Sequence, residues 1–166
     1  MKLGVIADSH DNLPLVREAV LYFNEEDPVD AVVHAGDYVA PFTLREFAKL
    51  KAPFNGVFGN NDGERAGINA VMPQIVQPPL RLVLGGKKIV VTHEPERLTE
   101  ADRKAADIVI FGHTHNKLVE QTENKLVLNP GELGGWLTGN STLAVIDLET
   151  LAVEIVYLRE DCPCEQ

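Results

Sequence analysis

The chain has 166 residues, which is typical of a single domain with a sizeable core. Its 15 basic and 25 acidic residues give a formal net charge of −10, which argues against a general nucleic-acid surface. The longest apolar stretches are strand-sized, well below the roughly 18 residues that cross a bilayer. The first strand begins at once, leaving no room for a signal peptide, so we expect a cytoplasmic protein with no membrane contact.

The first half of the chain alternates between strand and helix patterns. Residues 2–7 predict a strand, after which Asp11 or Asn12 caps a helix with Pro14 in its first turn. Apolar residues then recur at helical spacing on one face, namely Leu13, Val16, Val20 and Phe23. The pattern continues with a strand near 30–34, a helix near 42–50, a strand near 54–58 and a short helix near 64–71.

The second half changes from alternating helices and strands to hairpins. Two strands around Gly85-Gly86 predict a tight hairpin, residues 80–84 with 87–91, followed by a helix near 97–105 and a strand at 107–111. Beyond His115 the pattern is antiparallel, with strands at 118–122 and 126–128 and then at 143–148 and 153–158. An α/β half followed by hairpins predicts two packed sheets with helices outside.

We expect one domain over residues 1–158 and a flexible tail over 159–166. The tail contains both cysteines, in Cys162-Pro163-Cys164. One intervening residue disfavours an unstrained bridge between them. A dangling terminus is the favoured interpretation, with metal capture or intermolecular oxidation as the alternatives.

Polar residues stand at the ends of five apolar, β-branched segments, where layered α/β proteins build their sites. Together these five loops contain two carboxylates, four imidazoles and one amide. The loops are Asp8-Ser9-His10, Gly36-Asp37, Gly59-Asn60, Thr92-His93 and Gly112-His113-Thr114-His115. Clustered His and Asp at strand ends indicate a site.

The donor mixture indicates two divalent transition-metal ions. So much nitrogen suits Mn²⁺, Ni²⁺, Fe or Zn²⁺ better than Mg²⁺ or Ca²⁺, and we rank Mn²⁺ first. Paired ions in hydrolases lie about 3.5–4 Å apart around a water-derived nucleophile, so one carboxylate must bridge them. We assign that role to Asp37, at the tip of the second strand. The remaining ligands divide into Asp8, His10 and His115 on one ion, and Asn60, His93 and His113 on the other.

Charge arithmetic favours a phosphoryl substrate. Two divalent ions bring four positive charges, of which Asp8 and Asp37 cancel two and a bridging hydroxide a third. The site stays cationic because Asn60 is neutral. An acidic chain without metals would repel phosphate, and no glycine-rich P-loop is present to bind a nucleotide triphosphate.

The five motifs resemble the calcineurin-like metallophosphoesterase superfamily, whose pattern is D-x-H, G-D-x, G-N-H-D/E, G/T-H and G-H-x-H. The ending Asn129-Pro130-Gly131-Glu132 and residues 135–139 resemble its small phosphodiesterase branch in bacteria and archaea. The likeness runs from Met1 to about Leu158. It implies a four-layer α-β-β-α sandwich, and it implies that the seven residues above are the metal ligands.

Three positions depart from the superfamily pattern. Asn61 stands where most members have a histidine that contacts the phosphoryl group or protonates the leaving group, although the small branch also lacks it. Glu94 replaces a usual glycine, and Glu132 replaces a common serine. Both glutamates are expected to add negative charge near the pocket mouth.

Three further residues have two interpretations each. His34 lies inside a strand and is expected to be structural, with orientation of a metal ligand or contact with phosphate as the alternative. Asp62 serves either the turn or the ordering of the metal loops. Trp136 either turns the chain or covers a substrate or a dimer partner, and Ser9 receives no catalytic role.

The sequence therefore predicts a dinuclear-metal phosphodiesterase acting on small or nucleotide-like diesters through a metal-bridging hydroxide. Its catalytic residues are Asp37, Asn60, Asn61 and His93. A phosphomonoesterase is the alternative enzyme, disfavoured because a dianion meets more repulsion from the two glutamates. The other alternative is a non-catalytic scaffold resembling the retromer subunit of this fold. A small phosphoester is the expected partner, and a homo-oligomer is left open.

Overall fold

The computed structural model describes residues 1–158, which form eleven strands and four α-helices. The strands are β1 (Lys2–Ile6), β2 (Ala31–His34), β3 (Phe54–Val57), β4 (Ile75–Val76), β5 (Leu80–Leu84), β6 (Lys87–Val91), β7 (Ile108–Ile110), β8 (Leu118–Gln121), β9 (Leu126–Asn129), β10 (Ser141–Asp147) and β11 (Val153–Leu158). The helices are α1 (Leu13–Leu21), extended by one π turn (Tyr22–Glu26), α2 (Pro41–Phe47), α3 (Arg65–Val71) and α4 (Glu100–Ala105), the last preceded by a 3₁₀ turn (Pro95–Arg97).

The strands form two mixed sheets. The first has the order β11-β10-β1-β2-β3-β4, with β1 to β4 parallel and β10 antiparallel to β1. The second has the order β5-β6-β7-β9-β8, with β6, β7 and β9 parallel and a hairpin strand at each edge. The two C-terminal hairpins therefore join different sheets.

Three apolar clusters separate the layers. Leu3 and Val5 of β1 lie in the core between the two sheets, whereas Ile6 faces the core beneath α1, α2 and α3. A smaller cluster, which includes Val90 and Leu98, packs α4 against the outer face of the second sheet. The four-layer α-β-β-α sandwich is thus confirmed, because alternate strand residues bury themselves on opposite faces.

The ends of five parallel strands meet along one edge of the sandwich. Backbone hydrogen bonds tie neighbouring strand ends together within each sheet, Asp8 N to Gly36 O at 3.0 Å in the first and Gly112 N to His93 O at 3.1 Å in the second. Across the sheets, the backbone N–H of His113 donates to the carboxylate of Asp8 at 3.0 Å. The loops that the sequence singled out are therefore brought to one place.

Some local predictions need correction. Asn12 occupies the N-cap of α1, but its side chain makes no cap hydrogen bond and donates instead to Gly134 O. Asp11 turns away to accept from Ala40 N and Thr43 Oγ1 at the start of α2. The two-residue strand β4 was not predicted, and α2 ends at Phe47 instead of residue 50.

The predicted tail at 159–166, including Cys162 and Cys164, lies outside the described residues. Among residues 1–158, none of the helices is both long and apolar enough to span a membrane.

Candidate metal centre

The predicted ligands lie on strained backbone. Five of the seven have a positive φ angle, which is unfavourable for residues other than glycine. They are Asp8 (52°), His10 (41°), Asp37 (63°), His113 (69°) and His115 (59°). Such conformations cost of order 1–3 kcal/mol each and persist where the surrounding structure fixes them, commonly at functional sites. The loops are therefore shaped to present these side chains.

The first ligand group contains Asp8, His10 and His115, whose donor atoms all lie within 4.8 Å of one another. Asp8 Oδ1 is 3.9 Å from His10 Nε2 and 3.6 Å from His115 Nε2. The Nε2 atom of His10 is buried and has no hydrogen-bond partner among the described residues. A buried lone pair without a partner, aimed between two other donors, fits a metal ligand.

The second ligand group contains Asn60, His93 and His113. The Oδ1 atom of Asn60 lies 2.9 Å from His93 Nε2 and 2.9 Å from His113 Nδ1. Two imidazole nitrogens thus converge on one amide oxygen, as ligands of a common ion do. His93 is fully buried, whereas His113 is partly exposed and Asn60 is exposed.

Asp37 lies between the two groups. Its Oδ2 atom is 3.5 Å from His10 Nε2 of the first group and 3.3 Å from His93 Nε2 of the second. Asp8, Asp37 and His93 also form a compact donor set of their own. Asp37 is therefore the one carboxylate of the seven predicted ligands whose oxygen lies within 3.5 Å of a ring nitrogen from each group.

Two imidazole rings are held by their other nitrogen. His93 Nδ1 donates to Ala35 O at 2.8 Å, and His115 Nδ1 donates to Glu132 Oε2 at 2.9 Å. Each bond leaves Nε2 directed into the site. Metal-binding histidines are commonly oriented in this way. The donor set and its supports therefore fit divalent metal ions.

The pKa values of Asp8 and Asp37 are shifted in opposite directions. Burial raises the pKa of Asp8 to about 7, partly offset by the nearby His93 and His115. Burial also acts to raise the pKa of Asp37, but hydrogen bonds from His93 and Asn61 outweigh it and hold that pKa below its usual range. Asp37 is therefore the more firmly ionised of the two carboxylates.

Asn61 contacts the shared carboxylate directly. Its backbone N–H donates to Asp37 Oδ1 at 2.8 Å and its side-chain amide to Asp37 Oδ2 at 2.7 Å. The residue is exposed, so the amide lies at the open side of the centre.

Asp62 orders the loops of the site. Its buried carboxylate accepts four backbone N–H groups, from Gly59 and from the three consecutive residues Asp37, Tyr38 and Val39. Of its two interpretations, ordering of the metal loops is the one its contacts support, because the residue ties the second strand end to the third.

His34 is fully buried on the helix side of β2, with its ring centroid 4.0 Å from that of Tyr38 and 5.3 Å from that of Phe47. Its Nδ1 accepts from Gly36 N at 3.1 Å, so Nε2 carries the proton and donates to Ser9 Oγ at 3.1 Å. The side chain thus ties two metal loops together from the core, and Ser9 is its partner.

The two glutamates differ in position. Glu94 is partly exposed and forms a group with Glu96 and His113, whose polar atoms lie within 4.8 Å of one another. This is the expected place at the mouth. Glu132, by contrast, is fully buried against His115 and not at the mouth, which corrects the expectation. The position of Glu132 depends on a contact with His115, 17 positions earlier in the chain, which its residue type does not indicate.

Trp136 is 63% exposed, and its Nε1 donates to His10 O at 3.1 Å. It borders a cavity of about 590 Å³ that it shares with Leu15, Asn140 and Tyr157 and that contains none of the seven predicted ligands. The tryptophan therefore contacts the site through its indole nitrogen.

Comparison with known proteins places the chain among phosphoesterases. The family model for the calcineurin-like phosphoesterase superfamily domain matches residues 1–151. A phosphodiesterase of Methanocaldococcus jannaschii is 37% identical over 157 residues, covering 90% of this chain and 94% of that protein.

Two solved structures extend the comparison. An archaeal phosphodiesterase superposes with a TM-score of 0.86 at 34% identity, covering 95% of this chain and all of that one. Vps29 of Chaetomium thermophilum superposes with a TM-score of 0.73 at 16% identity, covering 98% of this chain and 88% of that one. At that identity the second match shows a common fold only.

Proposed function

The chain belongs to the calcineurin-like phosphoesterase superfamily and is a metal-dependent phosphoester hydrolase, and from that premise we propose that it hydrolyses small or nucleotide-like phosphodiesters with two divalent transition-metal ions. The observation that carries the proposal is the position of Asp37 Oδ2, 3.5 Å from His10 Nε2 and 3.3 Å from His93 Nε2. A carboxylate between two separate donor groups is what a pair of ions requires.

The proposed ligands divide by position. Asp8, His10 and His115 hold one ion, Asn60, His93 and His113 hold the other, and Asp37 is shared. When bound, such ions lower the pKa of a shared water to supply a nucleophile and neutralise charge on the phosphoryl group. We rank Mn²⁺ first, ahead of Ni²⁺, Fe and Zn²⁺, from the mixture of oxygen and nitrogen donors.

Other groups of the protein orient the ligands and are suited to contact the substrate. Ala35 O and Glu132 fix the rings of His93 and His115, so these ligands need no rearrangement. The side-chain amide of Asn61 donates one N–H to Asp37 Oδ2, and its second N–H is suited to donate a hydrogen bond to a phosphoryl oxygen. An amide does not supply a proton near neutral pH, so the leaving group is not protonated from this position.

Two observations favour diesters over monoesters. Glu94, which is paired with Arg97, and Glu96 lie beside His113 at the mouth, and their remaining negative charge repels a dianionic monoester more than a monoanionic diester. The Methanocaldococcus relative, which shares 37% of its residues with this chain, is itself a phosphodiesterase.

An activity matrix tests the proposal. Metal-free protein is reloaded with Mn²⁺, Ni²⁺, Fe²⁺ or Zn²⁺ and assayed with bis(p-nitrophenyl) phosphate and p-nitrophenyl phosphate side by side. We expect kcat/KM for the diester to exceed that for the monoester by tenfold or more with the preferred metal, and Asp37→Asn to abolish both activities.

Faster turnover of the monoester would identify a phosphomonoesterase instead. Turnover of neither substrate with any of the four metals would reject the proposed two-metal phosphodiesterase.

A further inference from the structure

The loop of residues 132–138 contacts all three ligands of the first group. Glu132 accepts from His115 Nδ1 at 2.9 Å, Gly134 N donates to Asp8 O at 2.9 Å, and Trp136 Nε1 donates to His10 O at 3.1 Å. We call these seven residues the bracing loop.

The bracing loop does not touch the second group. Among the hydrogen bonds of residues 1–158, none joins this loop to Asn60, His93 or His113. The second group is supported from elsewhere, His93 by Ala35 O and the Asn60 loop by Asp62. The bracing loop thus supports only ligands of the first group, although the two groups are linked to each other by Asp37 and by the bond from His113 N to Asp8.

Glu132 is the centre of the brace. Its carboxylate is fully buried and accepts, besides the bond from His115, the backbone N–H groups of Leu137 and Thr138. Burying a carboxylate is costly unless its lone pairs are satisfied, and here they are satisfied by one ligand ring and the far end of the same loop. The Glu132 carboxylate therefore joins the two ends of the bracing loop and also orients His115.

The bracing loop packs closely against the backbone of Asp8 and Ser9 at Gly134. A Cβ on Gly134 would lie 3.0 Å from Ser9 O and 3.1 Å from Asp8 O, tighter than ordinary contact. Only a residue without a side chain lets the loop lie this near the Asp8-Ser9 backbone. The contact with the first ligand loop is consequently direct and without intervening atoms.

We propose that the bracing loop is a positioning element for one of the two ions, with Glu132 and Trp136 setting the affinity of the site formed by Asp8, His10 and His115 and leaving the other site unchanged. The inference rests on the proposed two-metal function. Partners that orient a ligand histidine typically alter metal affinity by about 10–100-fold when removed.

Metal binding in two backgrounds tests this inference. His113→Ala weakens the second site and leaves the first, whereas His10→Ala does the reverse. Mn²⁺ affinity is then measured by titration calorimetry with and without Glu132→Gln. We expect Glu132→Gln to weaken the ion retained by His113→Ala by about 10–100-fold, and to change the ion retained by His10→Ala by less than twofold.

Two variants within the loop provide the controls. Trp136→Phe removes the bond to His10 O but keeps an aromatic ring, so it should weaken the same ion by a smaller factor. Leu137→Ala keeps the backbone N–H that Glu132 accepts and removes a side chain that is 75% exposed, so it should change neither ion.

Equal weakening in both backgrounds, or none in either, would overturn the inference. If Glu132→Gln does not fold, Trp136→Phe decides, and unchanged affinity of the ion retained by His113→Ala rejects the brace. Failure of the proposed function is distinguishable, because it appears in the unmodified protein as fewer than two bound ions or no diester turnover.

Discussion

The side-chain amide of Asn61 donates a 2.7 Å hydrogen bond to Asp37 Oδ2, the oxygen that lies between the two ligand groups. The position that departs from the superfamily pattern is therefore in contact with the centre. Its chemistry is limited to hydrogen bonding, since an amide neither gains nor loses a proton near neutral pH.

We predict that the reaction depends strongly on the leaving group. Activated aryl esters depart unaided, whereas alkoxides need a proton, and a positioned acid contributes about 10²–10⁴-fold. Asn61→His introduces a ring that titrates near neutrality and should raise kcat/KM for alkyl or nucleoside leaving groups far more than for nitrophenyl ones. An equal change in kcat/KM for both classes of leaving group would show that a residue at this position does not act as a general acid.

We predict that Gly59→Ala removes metal binding. A Cβ at Gly59 would lie 2.0 Å from Asp37 Oδ1 and 2.5 Å from Asp37 N, so the shared carboxylate must move. Gly63 is the matched control four residues along, because a Cβ there meets nothing within 4 Å. Elemental analysis after reloading with Mn²⁺ should find little metal in Gly59→Ala and a full complement in Gly63→Ala; equal contents in both would contradict the assigned position of Asp37.

We predict that His34 makes stability depend on pH. Burial lowers the pKa of His34 well below its usual range, so the folded protein keeps the ring neutral where the unfolded chain protonates it. Below about pH 6.5 the unfolded state therefore binds one more proton, and the folded state loses up to about 1.4 kcal/mol per pH unit. His34→Gln should lose less stability than the unmodified protein between pH 7 and pH 5.

Urea unfolding in the presence of a chelator measures this difference without metal binding. Stability curves of the two proteins that stay parallel with pH would reject the buried neutral ring. A loss of turnover of about 100-fold in folded His34→Gln would assign the residue to the site instead of the core.

The sequence predicts the fold and the gathering of the site because strand ends are local signals. Each of the five loops follows an apolar, β-branched segment, and parallel strands bring their ends to one edge. That rule was sufficient to predict that Asp8, Asp37 and His93 lie together at one edge of the sheets. The two-residue strand β4 was missed because so short a segment has no measurable periodicity.

Contacts between distant loops could not be predicted in the same way. Glu132 precedes a glycine-rich loop and resembles a surface charge, yet it folds onto His115, 17 positions earlier. Asn12 carries the sequence signal of a helix cap, but its amide bonds Gly134 O, 122 positions away, and the cap is lost. In both cases tertiary packing overrides the local preference of the side chain.

The metal content of the protein tests the central claim most directly. Asp37 is proposed to serve both ions and His10 only one, since Asp37 Oδ2 is 3.5 Å and 3.3 Å from ligands of the two groups. Elemental analysis of Mn²⁺-reloaded protein should find two ions per chain in the unmodified protein, one in His10→Ala, and a joint loss of both in Asp37→Asn. One ion or none in the unmodified protein, or one ion retained at full affinity in Asp37→Asn, would contradict the shared-carboxylate centre.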